Sequence, residues 1–590
     1  MCGIVGYLGK QTKAKNLINV LKKLEYRGYD SSGIASLEDG KIITFKQVGN
    51  IQKLDSSVPD GFETSCLVAH TRWATHGEPT EVNAHPHSSY SGVWTLVHNG
   101  IIENYGKLKN KLKNKPQSQT DTVVVSCLLE EQGVEDIFGF IDAFKQVEGS
   151  YAIVAENKNK PNELFLAKRK SPLYLSVNKD SDILVASDPI CFVGFSKNYY
   201  TFADGEFAHV SKTELKFFDE TGKELKKQTK ELDDTFEESD KKEYKHFMLK
   251  EIFEQPKALE RQIKTFKDNN VLNKFDKDFI SRFSNIKLIG CGTAYHAGLV
   301  GAKYLSRMTG LPAYAEMASE FIYNQPVFAD EKTLFIFVSQ SGETADTLCA
   351  QELAKNKGAT TIALTNVLYS SLASKCDYVI PVCAGPEIAV ASTKAYVCQL
   401  SALYLFALNL RCQVEDIEFD GFEKIETVAN KILNFDMAKV EKLASELKTK
   451  NEAIFIGKDF DYITANEASL KLKEVAYINS ASYPSGELKH GFLALVENGT
   501  PIIVFAGGSA TNSKTFNAAH EAASRGANAF VVTNQSTDIF ENVLLIDEPD
   551  DLLFPMLSIA PLQYLAYVVS TSKGINPDQP RNLAKSVTVE

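Results

Sequence analysis

The chain begins MCGIVGY, with a thiol one residue from its start. Removing Met1, which a small second residue permits, would leave Cys2 carrying both a thiol and a free α-amine. An α-amine titrates near ~7.7–8.0 and a thiol near ~8.5, so both lie close to neutrality. Such an amine can serve as general base for its own side chain. The same residue would also suit an edge strand as a small apolar group, and its neighbours do not decide between the two. Three turns further along favour an anion. GCGTAYHAG (290–298) and SQSGETADT (339–347) each follow an apolar run and open a helical one, and VASTK (390–394) is a third hydroxyl-rich turn. Ser339, Ser341 and Thr344 around Gly342, with loop amides and the positive end of a helix, would favour a phosphate without a lysine cluster. A helix N-cap rich in Ser and Thr has the same composition. The third glycine of GCGTAYHAG stands six positions after the second, which excludes the GxGxxG of a dinucleotide site. In SLKLKEVAY, Lys471 and Glu474 share a helix face at i and i+3, as an ion pair does.

The elements that must position these groups fall into two regimes. Residues 1 to about 225 alternate short strands with turns (KIITFKQVG, TSCLVAHTRWA, GVWTLVHNGII, GSYAIVAEN), with helical stretches near 12–25 and 121–148, the pattern of a β-rich α+β domain. The charged segment 223–247 reads as an exposed connection, and 226–279 is expected as a linker. Beyond residue 280, apolar strand-like runs alternate with helical ones, implying parallel sheets covered on both faces. Gly290 and Ser339 are 49 positions apart, as are Gly457 and Ala506. Two copies of one α/β unit are therefore expected, at 280–415 and 445–575, followed by a tail at 576–590.

Composition narrows the function. The chain has 590 residues, 44% hydrophobic and 24% charged, as an ordinary globular protein has. A net charge of -11 argues against a nucleic-acid partner. No uninterrupted apolar run reaches the ~18–20 residues of a membrane helix, and no signal peptide is evident, so no membrane partner and a cytoplasmic location are expected. The ten cysteines are scattered without a CxxC pair, as reduced thiols are. His70, His76, His85, His87 and His98 cluster in sequence, but HExxH is absent and acidic partners are sparse. Neither a metal nor a cofactor is expected.

SQSGETADT with the preceding GCGTAYHAG resembles the sugar isomerase (SIS) domain, which binds phosphosugars, and the second copy resembles it with a degenerate loop, AGGSATNS. CGIVGYLG, LEYRGYDSSGIA, HTRWATHG and HNGIIENY resemble the class II glutamine amidotransferases. With EIFEQP, GELKHG and DQPRNLAKSVTVE the resemblance runs end to end to a family that carries both. It implies an α+β N-terminal nucleophile (Ntn) amidotransferase domain at 2–225, followed by two α/β SIS domains with parallel sheets. It also implies two substrates, L-glutamine and fructose 6-phosphate, converted to glutamate and glucosamine 6-phosphate in the first step towards UDP-N-acetylglucosamine.

Site residues follow from the same resemblance. Cys2 is the implied nucleophile, Asn99 and the Gly100 amide its oxyanion donors. Arg72 and Asp121 would clamp glutamine, with Arg27, Thr75, His76 and Gly77 nearby and Trp73 gating a channel for ammonia. At the sugar, Lys585 would form a Schiff base, Glu474 move a proton between C1 and C2, and His490 open the ring. Cys291, Gly292, Thr293, Ser339, Gln340, Ser341, Thr344, Val390, Ser392 and Lys471 would line the sugar-phosphate site. In the family the His490 loop reaches the neighbouring subunit, which implies a homodimer or higher oligomer. Ala294 stands where a serine is common, Val123 and Val124 where an acidic residue is, and Phe492 where a proline is. The tandem repeat argues against phosphoribosyl-pyrophosphate and asparagine-forming amidotransferases, and no GxxxxGK[ST] exists to bind ATP. Intact Cys2, Glu474, His490 and Lys585 argue against a sensor that has lost its chemistry. Retaining Met1, or extending the N-terminus, should abolish glutamine hydrolysis with the fold intact; intact-mass measurement of active enzyme should find Met1 removed.

Overall fold

Period-two apolar runs of the N-terminal region build two antiparallel sheets, of eight and seven strands. In this computed structural model residues 2–38, 40–73, 77–232, 241–324 and 329–588 are described. The chain divides into two units, Met1–Glu238 with Ala584–Glu590, and Ser239–Leu583.

The first unit is layered helix, sheet, sheet, helix. Strand Gly3–Lys13 lies inside the eight-stranded sheet, antiparallel to Glu63–Arg72, with Gly3 opposite Thr71. Strand Trp94–Ile102 belongs to the seven-stranded sheet and pairs with Gly149–Asn157, Asn99 opposite Ala152. Ile4, Leu8 and Val68 of one sheet share a core with Val97, Val154, Leu164 and Leu166 of the other. Helices Ala14–Lys22 and Ile51–Ser57 cover the outer face of the first sheet. The stretch expected as helical over 121–148 is two helices, Thr122–Glu131 and Ile137–Phe144, on the second. Asp136 starts the later one anew by accepting the Gly139 amide at 2.8 Å, an N-cap that supplies one of the bonds a first turn lacks.

The second unit repeats one design. Strand Asn285–Gly290 lies between Ala313–Met317 and Thr333–Ser339, followed by Thr360–Thr365 and Tyr378–Pro381, all parallel. Strand Glu452–Gly457 lies between Asn479–Pro484 and Pro501–Ala506 in the same way, followed by Asn528–Thr533 and Asn542–Leu545. Helices Thr293–Thr309 and Ala345–Asn356 of the first half reappear as Phe460–Ala476 and Asn512–Ala523, each shifted by 167 residues. In this strand order the winding of successive strands reverses between the first and third strands. The loops after those two strands therefore leave the sheet side by side, where open α/β folds bind ligands.

The stretch expected as a linker over 226–279 is folded from residue 247 on. Helices Phe247–Phe253 and Gln255–Asp268 place Met248, Ile252, Leu259 and Phe266 in the core of the second unit, apolar positions at helical spacing that the high charge around them masked. Residues 233–240 lie outside the described residues. In the tail, Asp578 accepts the Phe247 and Met248 amides at 2.9 and 2.8 Å, and its carbonyl accepts the Val390 amide.

Helix Lys394–Glu415 is buried on all sides from Lys394 to Leu410, where it runs through this core. It is long and apolar enough to cross a membrane, but 83% of its apolar window is buried in protein. It crosses Thr293–Thr309 at Gly301, where an added Cβ would lie 2.7 Å from Leu403 and 3.0 Å from Leu288. Gly301→Val should overpack this crossing and destabilise the second unit by about 1–3 kcal/mol, read as a lower urea midpoint with unchanged slope.

Candidate active site

Strand register brings Cys2 to the end of Glu63–Arg72. Its Sγ accepts the Trp73 amide at 3.3 Å, and the thiol faces the Trp73 carbonyl at 3.5 Å. From the other sheet, Asn99 Nδ2 donates to the Cys2 carbonyl at 3.0 Å. Burial pushes the Cys2 thiol up from its ordinary value, and the positive chain terminus, the Trp73 amide and Arg72 pull it back. Gly100 follows with φ +128°, left-handed backbone that an L side chain strains against, and an added Cβ would run into the Ser150 carbonyl.

Arg72 and Asp121 act electrostatically on this thiol. Arg72 is almost wholly buried, its guanidinium donating to the carbonyls of Gly77 at 3.0 Å and Glu78 at 3.4 Å. Asp121 accepts the Ile102 amide at 2.7 Å, tying the start of helix Thr122–Glu131 to the strand that carries Asn99. Arg27 pairs with Asp188 at 2.5 Å. The Trp73 ring meets Tyr29 edge-on at 5.9 Å. Thr75 and His76 lie outside the described residues. Behind the strands, His70 and His85 stack at 4.0 Å, His85 meets His87 at 4.6 Å, and His70 Nε2 bonds the His98 carbonyl. Burial lowers all four, His70 to about 3, so they are neutral packing and hydrogen-bonding groups at pH 7.

In the second unit, the loop after Thr333–Ser339 is a cup of hydroxyls. Ser339 Oγ accepts the Gly342 amide at 3.0 Å and sits 3.2 Å from Thr344 Oγ1; Ser341 Oγ accepts the Glu343 amide at 3.2 Å. Gln340 is partly exposed beside them. Beside the cup, Cys291 Sγ lies 3.8 Å from Thr347 Oγ1, and Gly292 precedes the helix opened by Thr293. The Ser392 hydroxyl donates to Glu387 at 2.9 Å, and the same carboxylate takes the amides of Thr393 and Ala395.

A buried charge joins the two halves. Lys471 Nζ reaches Glu474 at 2.5 Å, Glu467 at 3.3 Å and Thr293 Oγ1 at 3.0 Å. Glu467 in turn accepts Thr293 at 3.0 Å and faces His296 Nδ1 at 2.7 Å. Burial alone would raise the Glu467 carboxyl, but Lys471, His296 and Thr293 hold it below its ordinary value. Burial opposes the Lys471 charge as well, and Glu467 and Glu474 override it, pushing the ammonium above its ordinary value. Both groups are therefore ionised, and Glu474 beside them is half-buried.

Comparison with protein families matches residues 279–409 and 446–573 to the SIS domain, and 70–193 to a glutamine amidotransferase domain. The chain is 40% identical to the glutamine–fructose-6-phosphate aminotransferase [isomerizing] of Clostridium tetani and 41% identical to that of Caldanaerobacter subterraneus, in each case over 100% of both chains. The chain belongs to the isomerizing glutamine–fructose-6-phosphate aminotransferases. Among solved structures, the C-terminal domain of the glucosamine-fructose-6-phosphate aminotransferase of Francisella tularensis matches at 33% identity and TM-score 0.54, covering 58% of this chain and all of that one. Tagatose-6-phosphate ketose/aldose isomerase from Escherichia coli, at 18% identity and TM-score 0.51 over 58% of this chain and 96% of that one, shares the fold.

Within this aminotransferase fold, Thr293, Lys471 and Glu474 come together, as do Cys2, Trp73 and Asn99. His490 ends a short 3₁₀ turn, Ser485–His490, and is exposed. The next loop is shaped by Phe492, whose ring stacks on Tyr483 with centroids 3.4 Å apart, packing that a proline would not supply. Lys585 is half-buried, in the segment grouped with the first unit. Glu467, His296 and Glu387 were not legible as site residues. Glu467 stands four positions before Lys471 on the same helix face, a spacing that marks a pair, but nothing local shows that it is buried. Gly100→Ala should cut glutamine hydrolysis by about 10²-fold or more, the order of losing one oxyanion donor, with little change in stability of the second unit.

Proposed function

We propose that the glutamine-dependent amination of fructose 6-phosphate proceeds as follows. In the first unit, the Cys2 thiolate attacks the glutamine amide carbon, with the α-amine freed by loss of Met1 as base. The oxyanion takes its hydrogen bonds from Asn99 Nδ2 and the Gly100 amide, ammonia leaves, and water cleaves the thioester to glutamate. Arg72 holds the α-carboxylate and Asp121 the α-amine, with Arg27, Trp73, Thr75, His76 and Gly77 shaping the pocket. The observation that carries this half is Cys2 Sγ 3.3 Å from the Trp73 amide with Asn99 already turned towards the same residue. Trp73 gates the passage of ammonia to the sugar; water must be kept out, because protonated ammonia is no nucleophile.

In the second unit, Ser339, Gln340, Ser341 and Thr344 receive the phosphate, with loop amides and the start of helix Ala345–Asn356 complementing its charge. Cys291, Gly292, Thr293, Val390 and Ser392 surround the sugar. The Ser392 proton points at Glu387, so its oxygen serves as an acceptor for a sugar hydroxyl. His490 opens the ring, Lys585 condenses with the C2 ketone, expelling water, and Glu474 carries the proton between C1 and C2. Lys471 holds Glu474 in place, at 2.5 Å. The exposure of His490 suits a residue that completes a neighbouring subunit's site, and the enzyme acts as a cytoplasmic homodimer. Lys585→Arg keeps the charge but forms no imine: it should lose aminosugar synthesis while Cys2 still hydrolyses glutamine. Borohydride with fructose 6-phosphate should label the C-terminal peptide of the wild-type chain. Labelling elsewhere, or full synthesis by the arginine variant, would overturn the assignment.

A further inference from the structure

The 167-residue shift makes the two SIS halves comparable residue by residue. Helices Thr293–Thr309 and Phe460–Ala476 are both 17 residues long, and each is preceded by a residue of the same unusual backbone: Gly292 at φ 53°, ψ -125°, and Asp459 at φ 63°, ψ -120°. On this register Ala294 corresponds to Asp461, and the Gln340–Ser341 pair to Gly507–Gly508.

The second loop is not vacant. Asp461 Oδ2 accepts the Gly507 amide at 2.9 Å and the Gly508 amide at 3.1 Å. The residue is 2% exposed, and no lysine or arginine forms an ion pair with it among the described residues. Beside it, Asp551 takes the Ser509 amide at 2.9 Å and the Ser509 hydroxyl at 2.8 Å. The Phe554 ring closes the other side, filling the space an added Cβ on Gly507 would need. A buried carboxylate held by consecutive backbone amides alone is what an anion cup looks like when its ligand is present. Burial pushes the Asp461 carboxyl up to about 7, the two amides pulling it back and Asp551 and Asp459 adding to the rise, so the group is mostly ionised at pH 8.

We infer that the second SIS loop is an anion cup permanently filled by the chain's own Asp461, so that the repeat keeps the ligand-binding backbone while only the first half is open to a phosphorylated sugar. The geometry of the second loop carries this, independently of the residues assigned to phosphate in the first. The first half has no tethered anion because Ala294 offers a methyl group where the second half offers a carboxylate. The departure of Ala294 from serine therefore falls at the position where the two halves differ in charge.

The test is removal and replacement of the anion in the full chain at pH 8. Asp461→Ala should lower the melting midpoint by about 2–4 °C. Formate, titrated against chloride at constant ionic strength, should restore the midpoint saturably. The wild type and Asp461→Asn, whose side chains still fill the cup, should show no rise specific to formate. An alanine variant as stable as the wild type, one that formate does not restore, or an equal formate response in all three proteins would overturn the inference. If the alanine variant does not fold, the wild type decides. The amide protons of Gly507 and Gly508 should titrate together with a midpoint near 7, and not in Asp461→Asn; separate titrations, or none in the wild type, would overturn it equally.

Discussion

A lysine ammonium with no exposed surface organises Ser239–Leu583. Lys471 belongs to the second repeat, yet one of its three partners, Thr293, opens the helix that follows the first strand of the first repeat. Glu467 doubles the connection through Thr293 and His296. Further out, Lys303 and Arg307 of the first repeat both bind Asp459 of the second. A buried ion pair contributes little net stability over an apolar replacement, but losing one partner strands a charge and costs about 3–5 kcal/mol. The arrangement therefore specifies more than it stabilises: the halves meet in an alignment that pairs Lys471 with Glu467 and Glu474 and Asp459 with Lys303 and Arg307.

The first unit depends on strand register. A shift of one residue between Gly3–Lys13 and Glu63–Arg72 would turn every side chain to the opposite face and carry Cys2 away from the Trp73 amide. The register is held by apolar packing between the sheets and, on the far side of the thiol, by Asn99 reaching across to the Cys2 carbonyl. Four buried neutral histidines fill the space behind these strands, so the electrostatics near the thiol come from the positive chain terminus, the Trp73 amide, Arg72 and Asp121.

Duplication supplied one backbone twice, and substitution gave each copy a different part. Where the second repeat has Glu467, Lys471 and Glu474, the first has Val300, Tyr304 and Arg307; where the first has Gln340 and Ser341 after its third strand, the second has Gly507 and Gly508. The hydroxyl cup comes from one copy and the buried Glu467 and Lys471 from the other.

The sequence by itself determined the period-two and helical patterns, the repeat with its 49-residue spacing, and the residue types at Cys2, Asn99, Lys471 and Glu474, because these are local and propensity and spacing record them. The motifs from CGIVGYLG to NLAKSVTVE also carried the family. What the tertiary structure decided was long-range. That Met248, Ile252 and Leu259 join the core, that helix Lys394–Glu415 is buried in protein, and that 121–148 breaks at Asp136 depend on packing partners far along the chain. Glu467, His296 and Glu387 became site residues only once their neighbours were in place. Asp461 reads as one acidic residue among many at a helix start. Its meaning lies in two amides 46 and 47 positions away, since burial and hydrogen-bond geometry are properties of the fold and not of the chain.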